Sequence, residues 1–571
     1  MPAHAFYWFR LAIDVAVPSW HEEYLLAEDR PVLVLFDGWN SFFRDHVVPW
    51  RMGLATRTRQ QFETDTLPRY IETQRWYASK GATLTRVRIA DQVVWEQPVG
   101  NGWLLALLEV EGPSEPATYF VPLAMAWEER EEELARSLAG TAVARVRQQA
   151  DVGVMGDAFA DERFCRALVQ AIRARTELPT TAGRLRFVPT AAFGELAGEA
   201  PETLPVGRPQ AQSSNTLVML GERLFLKGYR RLRPGINPEY EIGRYLTEVA
   251  KFPNCVPVAG VVEHVPTSGP TTTVSMVQAY LANQGDGWDY THEYLTRHLE
   301  HARDSVDPLP GDVHGGYLEL VRTLGRRTAE LHLAFAMRTG DPAFEPEPLT
   351  EADVSGQAVL LRSEAGRTLD LLQRALDRIA GAAAEDARAL LGLRARIDQR
   401  IDELASDVPR SLKTRFHGDY HLAQVLIAKN DVYIIDFEGE PGRSFEERRI
   451  KQSPLRDLAG MLRSFGYARA SALRSVATSD DEAAALAPAA HAWEAQARAA
   501  FLEAYRGRAG DARLFETLEP GVGLLGLYEL QKALYELRYE IDNRPDWVRI
   551  PLQGILALVG GSAAPGRDKE H

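Results

Sequence analysis

Two short stretches in the C-terminal half constrain this chain of 571 residues more than any other part of it. Residues 416–426 read FHGDYHLAQVL, and residues 432–438 read VYIIDFE. An apolar run leads into each stretch, and a Lys-Asn-Asp turn lies between them. A hairpin of this length would bring Asp419, Gln424 and Asp436 to one end of the structure.

These residue types suit phosphoryl transfer. That reaction needs an acceptor for the proton of the attacking hydroxyl, ligands for Mg²⁺, and cations beside the phosphates. Mg²⁺ prefers hard oxygen donors, which an Asp and a side-chain amide supply. The alternative is that His-Gly-Asp forms a plain turn and Asp436 a strand-end cap. The occurrence of both stretches at this spacing disfavours that alternative.

The two stretches resemble the HGDxHxxN…DFG-type catalytic segment of the aminoglycoside-phosphotransferase-like kinases, which are relatives of protein kinases. They are most similar to the maltokinases, which make maltose 1-phosphate from maltose and ATP. The resemblance implies Asp419 as the catalytic base, with Gln424 and Asp436 as Mg²⁺ ligands. Two departures stand out: Gln424 replaces the Asn of the broader superfamily, and Glu438 replaces the Gly of protein kinases.

The resemblance also implies a fold and its divisions. The fold class is α+β, a bilobal protein-kinase-like fold with an additional N-terminal α/β cap and a helix-rich C-lobe. Residues 31–205 are expected to form the cap and an intermediate region, and residues 206–282 the N-lobe up to the hinge. Residues 283–571 are expected to form a helical C-lobe with the catalytic loop and the acceptor site. Asp457 is expected to brace the catalytic loop.

The N-lobe is expected to bind ATP through a lysine. Lys227 ends an apolar strand, where a buried ammonium group needs an ionic partner. A helix follows, with Asn237 as its N-cap and a proline at its first position. Of its two candidate carboxylates, Glu241 is preferred over Glu239 because it shares a face with the apolar residues of the next turn.

Two further segments are predicted to contact the nucleotide. Ser213, Ser214 and Asn215 take the place of a glycine-rich loop, so small side chains and backbone N–H groups would hold the phosphates. Gln278 and Tyr280 lie in the stretch that matches the adenine-binding hinge, where backbone groups make the hydrogen bonds.

The sugar acceptor needs polar groups for its hydroxyls and aromatic faces for its rings. Two clusters offer these groups: Glu438, Glu440 and Arg443 form one, and Tyr535, Arg538 and Trp547 form the other. His421 could either contact the acceptor or brace the loop. For any one of the clustered residues the plainer interpretation is a solvated surface. No residue distinguishes maltose from another sugar.

The N-terminal part carries two more resemblances. Residues 1–30 resemble the terminal strand of a trehalose synthase, which makes such an enzyme a candidate partner; any aromatic edge strand would look the same. Residues 74–81 read QRWYASKG and resemble the N-terminal signature of maltokinases. Nothing in ATP chemistry requires that segment, so a packing role is expected for it.

Composition limits the other function classes. A net charge of −14 argues against nucleic-acid and anionic-membrane partners. No apolar run approaches the roughly 18 residues of a membrane span. The two cysteines show neither metal spacing nor a disulfide framework, which favours a reduced, cytoplasmic compartment. We expect a monomer or small homo-oligomer.

The motifs therefore predict an ATP- and Mg²⁺-dependent sugar kinase. The resemblance implies that it is a maltokinase, which would supply maltose 1-phosphate for α-glucan (glycogen) synthesis. One alternative is a kinase for an amino sugar or aminoglycoside. Another is a catalytically silent pseudokinase module that regulates a trehalose synthase.

Overall fold

The computed structural model describes residues 30–77, 84–98, 100–112, 116–209, 213–304, 313–510, 512 and 514–560. The predicted synthase-like strand and the last four residues of the QRWYASKG segment lie outside these ranges, apart from Arg30. The described chain forms two antiparallel-rich sheets followed by a helical half. The predicted α+β, kinase-like class is confirmed.

The first sheet belongs to the N-terminal part. Its elements are β1 (Val32–Leu35), α1 (Met52–Gln61), α2 (Leu67–Thr73), β2 (Arg86–Trp95), β3 (Trp103–Glu111), β4 (Ala117–Trp127), α3 (Glu132–Ala139), β5 (Ala142–Gln148) and β6 (Asp151–Asp157). The strand order is β1-β5-β6-β4-β3-β2. Only the β1–β5 pair is parallel among these strands in the described ranges.

Strand β3 is apolar along most of its length because both of its faces are covered. Trp103, Leu105 and Leu107 point into a core shared with the second sheet. The alternate residues, Leu104 and Ala106 among them, point into a core against α2 and β1. A strand buried on both sides shows a continuous apolar run instead of alternation.

The second sheet is the predicted N-lobe. It contains α4 (Glu162–Ala174), β7 (Glu177–Pro179), β8 (Gly183–Pro189), α5 (Phe193–Ala197), β9 (Val206–Gly207), β10 (Thr216–Leu220), β11 (Leu224–Gly228), β12 (Arg231–Leu232), α6 (Pro238–Arg244), β13 (Val258–Pro266) and β14 (Thr272–Ala279), of which β12 pairs with β4 of the first sheet. The order of the others is β7-β8-β13-β14-β11-β10-β9. This sheet therefore begins before the predicted division at residue 205.

The remaining elements are mainly helices. They are α7 (Gly287–Asp304), α8 (Gly315–Phe335), β15 (Glu347–Pro348), α9 (Glu351–Ala375), α10 (Gly381–Gly392), α11 (Arg394–Leu404), β16 (Leu412–Lys413), β17 (Val425–Ala428), β18 (Asp431–Ile434), α12 (Phe445–Arg448), α13 (Leu455–Val476), α14 (Asp480–Ala509), α15 (Gly523–Asn543) and α16 (Arg549–Gly560). Their apolar faces share one large core. Across the described ranges, we find no helix whose length and apolar content would suit a membrane crossing.

The predicted catalytic hairpin is present. Strands β17 and β18 pair in register from Val425 opposite Ile434 to Ala428 opposite Asp431. Lys429 and Asn430 make the turn with φ values of 54° and 58°. Such a two-residue turn matches the twist of the flanking strands.

A buried ion pair joins the two sheets. Arg230 donates to Asp157 of β6, and to the Thr216 hydroxyl at 2.6 Å. Its guanidinium carbon lies 5.8 Å from the ring centre of Trp76, which in turn lies 5.3 Å from the Tyr119 ring. The described half of the QRWYASKG segment therefore packs where the sheets meet, as its expected role requires.

Replacing Arg230 by leucine should destabilise this junction, because Asp157 would be left charged and buried. Removal of one partner of a buried pair costs about 3–5 kcal/mol. The matched control is Arg88→Leu, which breaks the ion pair between Arg88 and Glu109. The side chains of this pair are 46% and 43% exposed, so its loss should lower the free energy of unfolding by less than about 1 kcal/mol. Denaturant titrations followed by tryptophan fluorescence measure both; equal losses would contradict the assignment.

Candidate active site

Asp457 organises the His-Gly-Asp loop from the first turn of α13. Its two carboxylate oxygens accept from the backbone N–H groups of His417 at 2.8 Å and Gly418 at 2.9 Å. The ring of His332, fully buried on α8, lies 3.1 Å from the same carboxylate. A buried carboxylate is stable when such donors surround it. As expected, Asp457 braces the catalytic loop.

Two glycines allow the loop and the following segment to approach each other. Gly418 has a φ of 91°, and a Cβ there would lie 3.2 Å from the Cα of Gly439. Gly439 has a φ of 75°. Both conformations favour glycine, because a side chain would be strained in them.

Asp419 projects from this loop beside a lysine. Lys532, on α15, donates to its carboxylate at 3.0 Å, and His421 Nε2 lies 3.9 Å away. Burial would raise the pKa of Asp419, but the charges of Lys532 and His421 outweigh it and leave the pKa below its ordinary value. Asp419 is therefore ionised at neutral pH and able to accept a proton.

Sequence reasoning missed Lys532. It lies one helical turn before Tyr535, and its ammonium is 5.0 Å from the centre of that ring. The sequence signal that could have identified Lys532 is its position three residues before Tyr535, on the face of α15 that is predicted to contact the acceptor. Only the fold shows that this face meets Asp419.

Three carboxylates surround Lys227 at the end of β11. Its ammonium lies 2.8 Å from Glu239, 3.4 Å from Asp436, and donates to Glu438. The Tyr229 hydroxyl also donates to Glu239, at 2.6 Å. Burial would lower the pKa of Lys227, but these carboxylates raise it well above its ordinary value, so the ammonium is fixed in its charged form.

The predicted partner of Lys227 is wrong: Glu239 fills that role, and Glu241 does not. The two residues lie about 200° apart around α6, because each residue of an α-helix turns by about 100°. Glu241 instead accepts from Arg415 at 2.7 Å and from Arg449 at 2.8 Å. It therefore ties the helix to the strand that leads into the catalytic loop.

The oxygen donors around Asp436 fit Mg²⁺. Gln424 Nε2 donates to Asp436 at 3.3 Å, so this side chain lies next to the carboxylate as predicted. One oxygen each from Glu239, Asp436 and Glu438 lie within 4.8 Å of one another. Burial raises the pKa of Glu239 to about 7. A single ammonium among three carboxylates still leaves an excess of negative charge, which a divalent cation with oxygen ligands would balance.

The backbone of Asp436 is itself unusual. Its φ is 61°, a value that non-glycine residues seldom adopt. Such conformations persist where the surrounding structure enforces them, and they cluster at functional sites. Here the left-handed turn at the end of β18 directs the carboxylate toward Lys227.

The predicted nucleotide loop reaches the same cluster. Asn215 Nδ2 donates to Glu438 at 3.4 Å, and the Asn215 N–H donates to the Ser213 hydroxyl at 3.0 Å. Ser214 lies between them and is exposed. Asn215 is thus linked to Lys227 through Glu438, which accepts from both.

The predicted hinge residues lie farther along the sheet. Gln278 pairs with Phe225, two residues before Lys227, or roughly 7 Å along the strand. The Tyr280 N–H donates to the Arg223 carbonyl at 2.7 Å, so this N–H is occupied within the protein. Any backbone hydrogen bond between Tyr280 and a nucleotide would therefore be one that the Tyr280 carbonyl accepts.

Two cavities adjoin the loop that carries Asp419: Gly418 and Tyr420 line the first, and His421 and Ala423 line the second. The first, about 350 Å³, is lined by charged residues; those predicted as acceptor contacts are Glu440, Arg443, Tyr535 and Arg538. The second, about 320 Å³, is mainly aromatic; it includes Trp288, His421, Tyr467, Tyr535, Tyr539 and Trp547. Gly460, Lys532 and Tyr535 line both cavities, so these residues form the boundary between them.

Several acceptor candidates are held by other side chains. Glu440 accepts from Arg443 and from Arg456, and Arg538 donates to Thr368 at 2.6 Å. Burial would raise the pKa of Glu440, but Arg456 and Arg443 lower it below its ordinary value. These contacts fix the cavity wall in place.

The placement of Glu438 among the acceptor residues is wrong. Its carboxylate contacts Lys227 and Asn215, and it lines neither of the two cavities. The positive φ of Gly439 turns the chain between Glu438 and Glu440, so the two side chains lie on opposite sides of it. Glu438 belongs to the lysine cluster.

Four features define the class of this protein. They are an antiparallel sheet with a lysine held by a carboxylate, a His-Gly-Asp loop, a hairpin followed by Asp-Phe, and a helical second lobe. This combination is that of the kinase-like phosphotransferases.

Comparison with known proteins narrows this class. Residues 70–161 match the family model of the maltokinase N-terminal cap domain. A glucosamine kinase of Streptacidiphilus jiangxiensis is 28% identical over 379 residues, 65% of this chain and 77% of that protein. A glucosamine kinase of Mycolicibacterium smegmatis is 30% identical over 294 residues, 51% of this chain and 64% of that protein.

Solved structures support the same fold. A glucosamine kinase in complex with glucosamine, ADP and inorganic phosphate superposes with a TM-score of 0.57 at 22% identity, covering 86% of this chain and 98% of the other. The chain therefore has a kinase-like fold and carries a segment, residues 70–161, that is similar to the maltokinase N-terminal cap domain. The resemblance to maltokinases and kinase-like enzymes that was inferred from the sequence is thereby confirmed.

The two carboxylates of α6 should respond differently to the same substitution. Glu239→Gln should weaken ATP binding by about tenfold or more, because it removes a charge-assisted bond worth about 1.5–3 kcal/mol from Lys227. Glu241→Gln should lower thermal stability and leave ATP affinity within about threefold. Calorimetry with ATP and Mg²⁺ measures both variants; a larger affinity loss in Glu241→Gln would contradict the assignment.

Proposed function

We propose that this protein transfers the γ-phosphoryl group of ATP to the anomeric hydroxyl of maltose, giving maltose 1-phosphate for α-glucan synthesis. The observation that carries the proposal is the position of Asp419. Its carboxylate accepts from Lys532, which lines both acceptor cavities. On the other side, its loop contacts the carbonyl of Ile435, next to Asp436. The maltokinase cap domain at residues 70–161 supports the choice of sugar.

Asp419 is the catalytic base in this proposal. The acceptor oxygen attacks the γ-phosphorus, its proton passes to Asp419, and the bond from that phosphorus to the bridging oxygen of ADP breaks. Lys532 holds the carboxylate at 3.0 Å and keeps it ionised. A base is most useful when it is unprotonated at the working pH.

The Lys227 cluster would hold the phosphate end of the nucleotide. Asp436, with Gln424 and Glu438 beside it, would hold Mg²⁺, which when bound neutralises phosphate charge. Lys227, positioned by Glu239, would contact the phosphates. Ser213, Ser214 and Asn215 offer small donors on the same side of the cluster.

The charge of the first cavity favours a neutral acceptor. Its lining includes five cationic side chains, Arg367, Arg443, Arg456, Lys532 and Arg538, against three carboxylates, Glu364, Glu440 and Glu447. An ammonium group would be repelled there. Two adjoining cavities also suit a sugar of two rings, whereas one ring needs only one of them.

Phosphorylation of an amino sugar is the second candidate, because the two curated relatives above are both glucosamine kinases. A glucosamine ammonium would need one of the three carboxylates of the first cavity as its partner. Lys227, Asp419 and Asp436 are all present in bonded positions, which argues against the pseudokinase alternative. The proposal also places the enzyme in the cytoplasm, with a trehalose synthase as its candidate partner.

Phosphorus NMR of the purified chain with ATP and Mg²⁺ separates these candidates. Maltose, glucose, glucosamine, trehalose and kanamycin would run as parallel acceptors. A new anomeric phosphate signal with maltose alone supports the proposal. A phosphate signal with glucosamine and none with maltose supports the amino-sugar candidate, and ATP binding without transfer to any acceptor supports the pseudokinase.

Asp419→Ala should lower turnover by about 10²–10⁴-fold, the contribution typical of a positioned base. ATP affinity should stay within about threefold, because the Lys227 cluster is unchanged. Asp370→Ala is the control, since that carboxylate pairs with Arg394 on the surface with 58% exposure. A near-normal rate in Asp419→Ala would remove this residue from the role of base.

Lys532→Met should shift the pH profile. Lys532 lowers the pKa of Asp419, so its removal raises that pKa and protonates more of the base at low pH. The acidic limb of kcat/KM should therefore move to higher pH. Lys429→Met, an exposed site in the hairpin turn, is the charge-matched control and should leave the profile unchanged. An unshifted acidic limb in Lys532→Met contradicts the role given to this residue.

A further inference from the structure

A third cavity, of about 630 Å³, lies where the cap, the second sheet and the segment after Asp436 meet. Its lining comes from all three parts and includes Arg75 and Trp76, Asn215 and Arg231, and Glu438 and Arg448. It shares no lining residue with the two acceptor cavities. In the reaction proposed above, only Ser214, Asn215 and Glu438 of this lining have a role, and they lie at one edge of the cavity.

The lining is strongly cationic within an acidic protein. It contains four arginines, Arg75, Arg231, Arg233 and Arg448, and one carboxylate, Glu438. The carboxylate already accepts from Lys227 and Asn215. The chain as a whole has a net charge of −14, so this concentration of positive charge is local. Like charges gathered around a cavity attract a counter-ion of the opposite sign.

Two of the arginines have carbonyl partners in place of carboxylates. Arg448 donates to the carbonyls of Glu438 and Pro441, each at 2.9 Å, and Arg233 donates to Pro441 at 3.2 Å. Both also donate to the carbonyl of Arg443, at 3.0 Å. Within the described ranges, no carboxylate lies within 4.0 Å of either guanidinium group. Their positions are thus fixed without a direct ion pair, and the charge of Glu438 acts on both from a greater distance.

The electrostatic strain agrees with this geometry. Burial, followed by the charge of Arg231, lowers the pKa of Arg233 below its ordinary value. Burial, followed by the charge of Arg233, lowers the pKa of Arg448. Each guanidinium therefore feels its neighbour. An anion placed between them would relieve the repulsion.

We propose that this cavity binds the phosphate group of a small molecule, contacted by Arg75, Arg231 and Arg233. Guanidinium groups are planar and bind phosphate through two parallel hydrogen bonds. A phosphate dianion balances more of the surplus charge than a carboxylate does. Because the lining spans the cap and the segment after Asp436, the bound anion would connect these two parts of the chain.

Two kinds of ligand could supply the phosphate group that this cavity binds. One is the phosphate tail of a nucleotide that extends past Asn215. The other is a separate phosphomonoester, such as a sugar phosphate. Both are phosphate ligands of the same arginines, and equilibrium binding distinguishes them without any phosphoryl transfer. The proposal therefore does not depend on the reaction proposed above.

The test is calorimetry of the full chain with inorganic pyrophosphate as the probe. The variant is Arg75→Gln combined with Arg231→Gln, because both side chains are exposed and form no ion pair within the described ranges. The control is Arg147→Gln, an exposed arginine on β5 outside the cavity. We expect at least about a tenfold loss of affinity in the double variant and none in the control. Equal affinity in all three proteins, or no binding by the wild type, would overturn the proposal.

Two further measurements complete the design. Hydrogen exchange of the wild-type chain with pyrophosphate should protect the backbone at residues 75–77 and 231–233, and unchanged exchange there would overturn the proposal even if the variant misfolds. Glucose 1-phosphate and a non-hydrolysable ATP analogue then identify the source. Displacement of pyrophosphate by the analogue supports the nucleotide tail, and binding of glucose 1-phosphate alongside the analogue supports a separate ligand. If neither happens, the proposal fails.

Discussion

The ammonium of Lys227 is the interaction on which the site depends. It enters from β11, and Glu239, Asp436 and Glu438 reach it from α6, the end of β18 and the segment after it. Without that charge three carboxylates would lie together in a half-buried space, and each would resist ionisation. With it the cluster still carries an excess of negative charge, so a divalent cation and the phosphates that accompany it are favoured there.

The cap contributes to this arrangement through packing. Strand β3 separates two cores, and β12 joins the sheet of the cap directly after the strand that carries Lys227. The buried pair of Arg230 and Asp157 then fixes β11 and β12 against the cap. The cap therefore orients the element that delivers the lysine, although none of its described residues contacts Asp419 in the structure.

The sequence predicted the parts of the site that depend on local order. The His-Gly-Asp loop, the hairpin and the lysine strand follow from short runs with fixed spacing. Gln424 accordingly lies beside Asp436, and the loop that carries Asp419 contacts the neighbouring Ile435. Predictions that depend on the rotation of a helix about its axis, or on packing between distant segments, were less accurate. The preference for Glu241 over Glu239 is wrong because the face that α6 turns to the sheet depends on how the helix docks, which the sequence pattern does not give. Glu438 was misplaced because a single positive φ at Gly439 reverses its direction, and Lys532 was missed because α15 meets the loop more than a hundred positions later in the chain.

The acceptor side is defined by Lys532 and Tyr535, which line both cavities beside the base. A crystal structure of the chain with ADP, Mg²⁺ and maltose is the most direct test of the whole arrangement. The proposal predicts the anomeric oxygen of maltose within hydrogen-bonding distance of Asp419, with Mg²⁺ on Asp436 and Gln424. Maltose bound away from Asp419, or nucleotide phosphates away from Lys227, would contradict it.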